Sequence, residues 1–316
     1  MHMLDWAVDL AASYGGTPVW HPAERRLYWS DIAACKLYAF DPATGVNQTV
    51  LEDGRPVGAI TVQADGALLL FRDQANIVVW RDGAVRATVI NGIADFRFTR
   101  FTAAVAGPGG RVFCATQSDR SHPGRLLCLD RTGRLNLIAD IFGTPAGMQF
   151  SPDASQFYFN DAHGTHLTTW RYLHDAATGV LSMQTPFRDS TRQHDPGAPM
   201  GLAVDAGGYV WLSRWGGGVL MQCAPSGEVC QRIDLPVKKP TGLCFGGERL
   251  DELYVTTAGG HRRQIEGLHA GALGRVRIPV ATGLPLHVSR IQLEADDVAE
   301  QVLVEAKRFD EDVAAG

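Results

Sequence analysis

Arg100 and His163 are the two side chains of this 316-residue chain best suited to chemistry on a carbonyl or an acid. A guanidinium is a fixed, planar, bidentate donor, matched to a carboxylate or to a carbonyl oxygen gathering negative charge. An imidazole titrates near neutrality, so one ring can take up a proton and return it within a cycle. Each has a plainer reading: an ion pair between structural units for Arg100, and a solvated loop histidine for His163. His163, His166 and His194 are also of the type that binds zinc or iron, although their spacing matches no ligand motif. The six cysteines include no C-x-x-C pair and sit mostly in apolar text, which predicts small buried hydrophobes. Cys223 and Cys230 flank one hairpin turn, where a disulfide is the lesser alternative.

The elements that must position these groups form a repeat. The phrase from Thr17 to Ile32 reads as a strand through Pro18-Val-Trp20, a polar turn, and a second strand through Leu27-Tyr-Trp29 closed by Ser30-Asp31. It returns in degraded form near Val57, Arg100, Pro145, Pro199 and Pro240, at intervals of 39 to 54 residues. Most copies continue into two further strands around a second turn, such as Asp41-Pro-Ala-Thr-Gly45. Four strands per repeat of this length predict a β-propeller blade, and six copies predict six blades. The expected fold is therefore all-β, a six-bladed β-propeller over residues 1–291 followed by a short C-terminal helical tail over 292–316. A strand over Trp6–Leu10 is expected to pair with the last blade and remove its open edge. Two connections read as long, Leu181 to Ala198 and Ala258 to Gly271. In the tail, Val298, Val302, Ala306 and Phe309 fall at helical spacing with Asp296 as a cap. That helix would dock on the propeller or contact a second copy, giving a homodimer.

The chain is 45% hydrophobic and 20% charged with a net charge of −5, which excludes the clustered basic surface that nucleic acid or an anionic membrane requires. No apolar run approaches the length of a membrane span, and Asp5 interrupts the only apolar N-terminal stretch. A bacterial cytoplasmic protein is the expectation.

Several motifs together resemble the senescence-marker-protein/gluconolactonase/luciferin-regenerating-enzyme (regucalcin-like) family. They are Pro18-Val-Trp20 with Leu27-Tyr-Trp-Ser-Asp31, Cys244-Phe-Gly-Gly247 with Leu253-Tyr-Val-Thr256, and the closing Gly283-Leu-Pro285. The resemblance runs over roughly residues 14–287. It implies a six-bladed fold, a divalent metal on the central axis and lactone hydrolysis. The metal positions depart from the family. Its Gly-Glu-Gly-Pro reads Gly15-Gly-Thr-Pro18, its Asn-Gly reads Ala146-Gly147, and its Pro-Asp-Gly reads Pro199-Met-Gly201. Its Arg-x-Asn-Asp reads Arg100-Phe-Thr-Ala103, so the arginine alone survives there. Hard divalent cations need oxygen ligands, and Gly16, Ala146 and Met200 offer none from their side chains. No metal and no other cofactor is expected.

By the same resemblance, each first strand begins at the rim of the central pocket and the turn after each second strand returns to it. This nominates Arg100 and His163 as catalytic residues. Arg100, Thr102, Gln117, Asp119, His194, Met200 and Trp215 are nominated for substrate binding. Met200 and Trp215 would give the floor an apolar, polarisable surface, or else pack between blades. The expected activity is a lactonase-like hydrolase of a small cyclic ester or sugar-acid lactone. The alternatives are a non-hydrolytic acid–base enzyme, either isomerase or lyase, and a non-catalytic propeller that binds a small acid. Turnover and binding measured on one lactone panel separate them.

Overall fold

In a computed structural model of the chain, residues 3–93, 99–118, 123–141, 143–163, 166–278 and 281–292 are described, without the side chains of Met3, His163 and His166. Six four-stranded antiparallel sheets surround one axis. The innermost strands are Gly15–His21, Val57–Val62, Phe101–Ala106, Thr144–Phe150, Ala198–Val204 and Pro240–Gly246. Five begin at or next to a repeat start read from the sequence, and the first begins at Gly15, three residues before Pro18. Second strands are buried on both faces because a neighbouring blade covers each side. Leu27, Tyr28 and Trp29 are all buried, as are all five residues of Leu68–Arg72. Such strands read as continuous apolar runs rather than as alternation. Edge-to-face rings join the blades, as between Phe71 and Phe101 with centroids 5.3 Å apart.

Inner strands approach one another closely where a side chain is missing. A Cβ on Gly201 would lie 2.2 Å from the Thr241 carbonyl oxygen of the next blade, and one on Gly58 would lie 1.8 Å from that of Phe101. At three junctions a hydroxyl or amide group on a second strand then ties it to the inner strand of the neighbour. Ser30 Oγ donates to the Val57 carbonyl (3.0 Å), Asn160 Nδ2 to that of Met200 (2.8 Å) and Ser213 Oγ to that of Thr241 (2.5 Å). Phe71 and Ala115 occupy this position in blades two and three, so both junctions of blade three lack the tie and pack instead.

The N-terminal segment closes the ring. Met3–Val8 is the outermost strand of blade six, paired antiparallel with Leu273–Arg277, with Met3 opposite Arg277. Asp5 holds Arg275 through two hydrogen bonds (2.7 and 3.2 Å), and Trp6 stacks on His269 at 4.9 Å. The strand sits earlier than the expected Trp6–Leu10 because its partner begins at Leu273, opposite Val8. The chain must then turn toward blade one, and the Ala12 amide donates to Gly271 O.

The expected long connection from Leu181 to Ala198 is half strand. Leu181–Asp189 is the outer strand of blade four, and only the residues after it form a loop. Its text lacks alternation because it is an edge, with Met183 71% exposed and Pro186 tolerated there. The connection after Ala258 carries one 3-10 turn and a four-residue helix, Arg263–Glu266. A strap over residues 283–291 crosses the far ends of the inner strands. Ala206 N donates to Thr282 O, Ser289 exchanges hydrogen bonds with Val62 and Ala64, and Arg290 N donates to Gly110 O. Ile291 is fixed by both amide atoms of Gln63 (3.2 Å each). The tail beyond Gln292 lies outside the described residues. Among the described residues no helix is long and apolar enough to cross a membrane.

Candidate active site

Within the first five residues of every inner strand, pairing with the second strand slips. Such bulges re-aim side chains, and here they turn them toward the axis. Through their partners on the second strands the inner strands align on Gly15, Val57, Phe101, Pro145, Pro199 and Pro240, each the last pair before the slip except in blade one, where Gly16 also pairs. The next residue in each blade forms a ring: Gly16, Gly58, Thr102, Ala146, Met200 and Thr241. The preceding residue forms a second ring nearer the opening: Tyr14, Pro56, Arg100, Thr144, Ala198 and Lys239.

A cavity of about 180 Å³ lies inside these rings and runs down the axis to Leu284–His287 of the strap. Polar groups gather at its mouth, where Tyr14, Thr17, Arg100, Thr102, Thr144 and Thr241 all line it. The rest of the wall is mainly apolar, with Val62, Phe150, Val204, Phe245 and Leu286, alongside Thr61, Gln149, Ser151 and His287. Thr17 has a φ of 51°, a left-handed conformation rare for a β-branched residue, and its hydroxyl is 3.0 Å from that of Ser30.

The axial ring does not fit a hard divalent cation. Of its six residues only Thr102 and Thr241 carry a side-chain oxygen, and both are engaged. Thr102 Oγ1 donates to Ala115 O (3.3 Å) and Thr241 Oγ1 to Gly15 O (2.6 Å). No carboxylate lines the cavity among the described residues. Nor do any three or more His, Cys, Asp or Glu side chains among them group to hold a metal.

Among the described lining residues Arg100 is the one with a fixed charge. Among the described residues it has no carboxylate partner, and it forms no blade-to-blade ion pair with them. Its Nε is buried without a hydrogen bond, and the guanidinium carbon lies 5.8 Å from the centroid of the Tyr14 ring. Its carbonyl accepts from Gln117 N (3.2 Å), which seats the strand start.

The other nominated residues separate into two groups. Thr102 and Met200 line the cavity with Arg100, and Met200 is held through its carbonyl by Asn160. Trp215 stands beside the mouth, tilted against Tyr14 with centroids 5.6 Å apart, while Lys239 Nζ lies 5.1 Å from its ring. Lys239 also pairs with Glu266 at 2.7 Å, and that hydrogen bond holds the Glu266 carboxyl below its usual pKa. Gln117 and His194 do not line the cavity. His194 is an exposed turn residue with a φ of 54°, next to Asp195, whose buried carboxylate grips Arg188 (2.5 and 2.6 Å). Asp119 lies outside the described residues. His163 ends the strand Gln156–His163, and its side chain lies outside them too.

Tyr14 is the mouth residue that the sequence reading missed. The repeat itself carried the signal, because Tyr14 stands in blade one where Arg100 stands in blade three. Asp31, which closes the second strand of blade one, accepts the amides of Ser13 (2.9 Å) and Tyr14 (3.1 Å) and fixes that position.

The model of the SMP-30/Gluconolactonase/LRE-like region matches residues 14–259. The chain is 38% identical over 293 residues to the pentonolactonase XacC of Haloferax volcanii, covering 90% of this chain and 98% of that protein. It is 28% identical over 246 residues to a 6-deoxy-6-sulfogluconolactonase of Pseudomonas putida, covering 77% and 83%. In fold it is similar to a luciferin-regenerating enzyme, with a TM-score of 0.82 at 20% identity over 92% of this chain and 100% of that one. The chain belongs to the SMP-30/gluconolactonase/LRE-like family, as a member whose axial ring lacks the carboxylates of a metal site.

Proposed function

We propose that the chain is a lactonase that opens a small sugar-acid lactone with water, without a divalent metal on its axis. The observation that carries the reading is Arg100, a lone fixed positive charge in a small cavity with no carboxylate among its described lining residues. The substrate class is supported by the pentonolactonase and sulfogluconolactonase relatives, the first matched over nearly its whole length. Water adds to the ester carbonyl carbon, and the carbonyl π pair moves onto oxygen beside the Arg100 guanidinium. The pair returns as the ring C–O bond breaks, leaving a hydroxy acid. His163, at the end of its strand, takes the proton from water and passes it to the departing ring oxygen. All six cysteines are free, which supports a reducing, cytoplasmic setting.

The test is hydrolysis of pentono- and hexono-lactones by the purified protein, before and after exhaustive chelation. Turnover should survive chelation. Arg100→Ala should weaken substrate use on the order of a hundredfold, as expected for a lost charge-assisted bidentate contact. His163→Ala should cost on the order of 10²–10⁴ in rate. Activity lost to chelator and restored by one metal overturns metal independence. Tight binding of the hydroxy acids with no turnover of any lactone makes the chain a small-acid-binding propeller.

A further inference from the structure

We propose that Tyr14 donates a second hydrogen bond to the ligand's carbonyl oxygen, so that a phenol and a guanidinium at the cavity mouth share the charge that develops there. The choice of substrate rests on the lactonase reading above.

Tyr14 and Arg100 occupy the same ring position in blades one and three, and both line the cavity. The Tyr14 backbone is fixed on both sides, its amide donating to Asp31 Oδ1 (3.1 Å) and its carbonyl accepting from Ile32 N (2.9 Å). Its ring is held between Trp215, 5.6 Å away by centroids, and the Arg100 guanidinium at 5.8 Å. Among the described residues no protein group hydrogen-bonds its hydroxyl, and Arg100 Nε is likewise buried without a partner. Both side chains line a cavity whose described lining offers no carboxylate to absorb them.

Burial raises the Tyr14 pKa above its usual value, with Arg100 pulling it the other way. The phenol keeps its proton through the neutral range and stays a donor. As water adds to the carbonyl carbon, the π pair moves to the oxygen that Tyr14 and Arg100 hold. It returns when the ring C–O bond breaks and the ring oxygen leaves with the proton that water gave up. The Tyr14 proton is shared throughout and never transferred. Because the acceptor gains charge only in the transition state, losing this donor should lower kcat rather than raise KM.

Tyr14→Phe keeps the ring, its packing on Trp215 and its contact with Arg100, and removes only the hydroxyl. Initial rates should be measured on ribono-1,4-lactone and the wider lactone panel, with melting temperature as the folding control. The expected result is a kcat lowered roughly a hundredfold, as for one oxyanion donor, with KM within about threefold and an unchanged melting temperature. Unchanged kcat in an active protein overturns the Tyr14 donor and leaves the lactonase reading standing. A loss confined to KM also overturns it, since the contact would then be made equally in the ground state. If the wild type opens no lactone, the lactonase reading fails by itself, and calorimetric titration with ribonate decides the donor. An affinity at least about tenfold weaker in Tyr14→Phe upholds the donor, and equal affinity removes it.

Discussion

Installing the three missing oxygen donors, as Gly16→Glu, Ala146→Asn and Met200→Asp together, should turn the axial ring into a calcium site. Space permits the change. Gly16 lies outside the left-handed region, and a Cβ there would meet only the Ile32 Cδ1 methyl at 2.9 Å, the free end of a side chain. Ala146 already carries a Cβ, and aspartate is shorter than the methionine it replaces. Without metal, two carboxylates would share a cavity with no counter-charge except Arg100. Desolvation and mutual repulsion should cost on the order of 3 kcal/mol. At roughly 2–4 °C per kcal/mol for a chain above 150 residues, the metal-free variant should melt about 6–12 °C below wild type. Calcium at about 100 times its Kd returns ~2.7 kcal/mol, which recovers most of that loss. Scanning calorimetry in chelator and in calcium, at matched ionic strength, reads both changes. A wild-type melting temperature that climbs with calcium as far as the variant's would refute the donor reasoning. A variant that gains nothing from calcium would show that the three positions do not converge.

Deleting residues 1–8 should leave Leu273–Arg277 as an open edge without its partner strand, its Asp5 pairs or the Trp6 stack. The melting temperature should fall by roughly 10 °C or more, or the protein should aggregate; a truncated chain as stable as the parent would place ring closure elsewhere. Burial, and secondarily His174, hold the His287 pKa below its usual value. The unfolded chain thus binds that proton more readily than the folded one. Stability from this site is complete above a pH of roughly 6.5 and drains as pH falls through the folded pKa. His287→Gln should flatten the fall in melting temperature between about pH 7 and 5, and an unchanged slope would assign the acid sensitivity to other groups.

The blades were legible because each repeats a strand, a turn and a strand whose second member is apolar throughout, as in Leu27-Tyr-Trp29 and Leu68-Leu-Leu-Phe71. Elements covered on one side only were not legible. Leu181–Asp189 hides its strand behind Pro186 and an exposed Met183, since an edge needs no alternation to remain paired. The strap was invisible because its order comes from backbone hydrogen bonds to residues far away in the sequence, such as Ser289 to Val62. Arg100, Thr102 and Met200, which line the cavity, were nominated from motif positions. Tyr14 was passed over because it precedes the first recognisable strand, and only the pairing register puts it level with Arg100. Asp31, read as closing its strand, has its carboxylate taken by three backbone amides.

The strand that shuts the ring also sets a clock. Met3–Val8 leaves the ribosome ahead of every other strand of the propeller, whereas its partner Leu273–Arg277 is among the last of the propeller to appear. At roughly 5–20 residues per second, the interval is tens of seconds. For that time Leu4 and Trp6, which finally pack against the core of blades five and six, face water on a strand with two free edges. Asp5 between them is a charge that resists pairing with a second nascent chain, and its salt bridge to Arg275 forms only once the last blade exists. The residue that locks the finished ring is thus also the guard of the unfinished one.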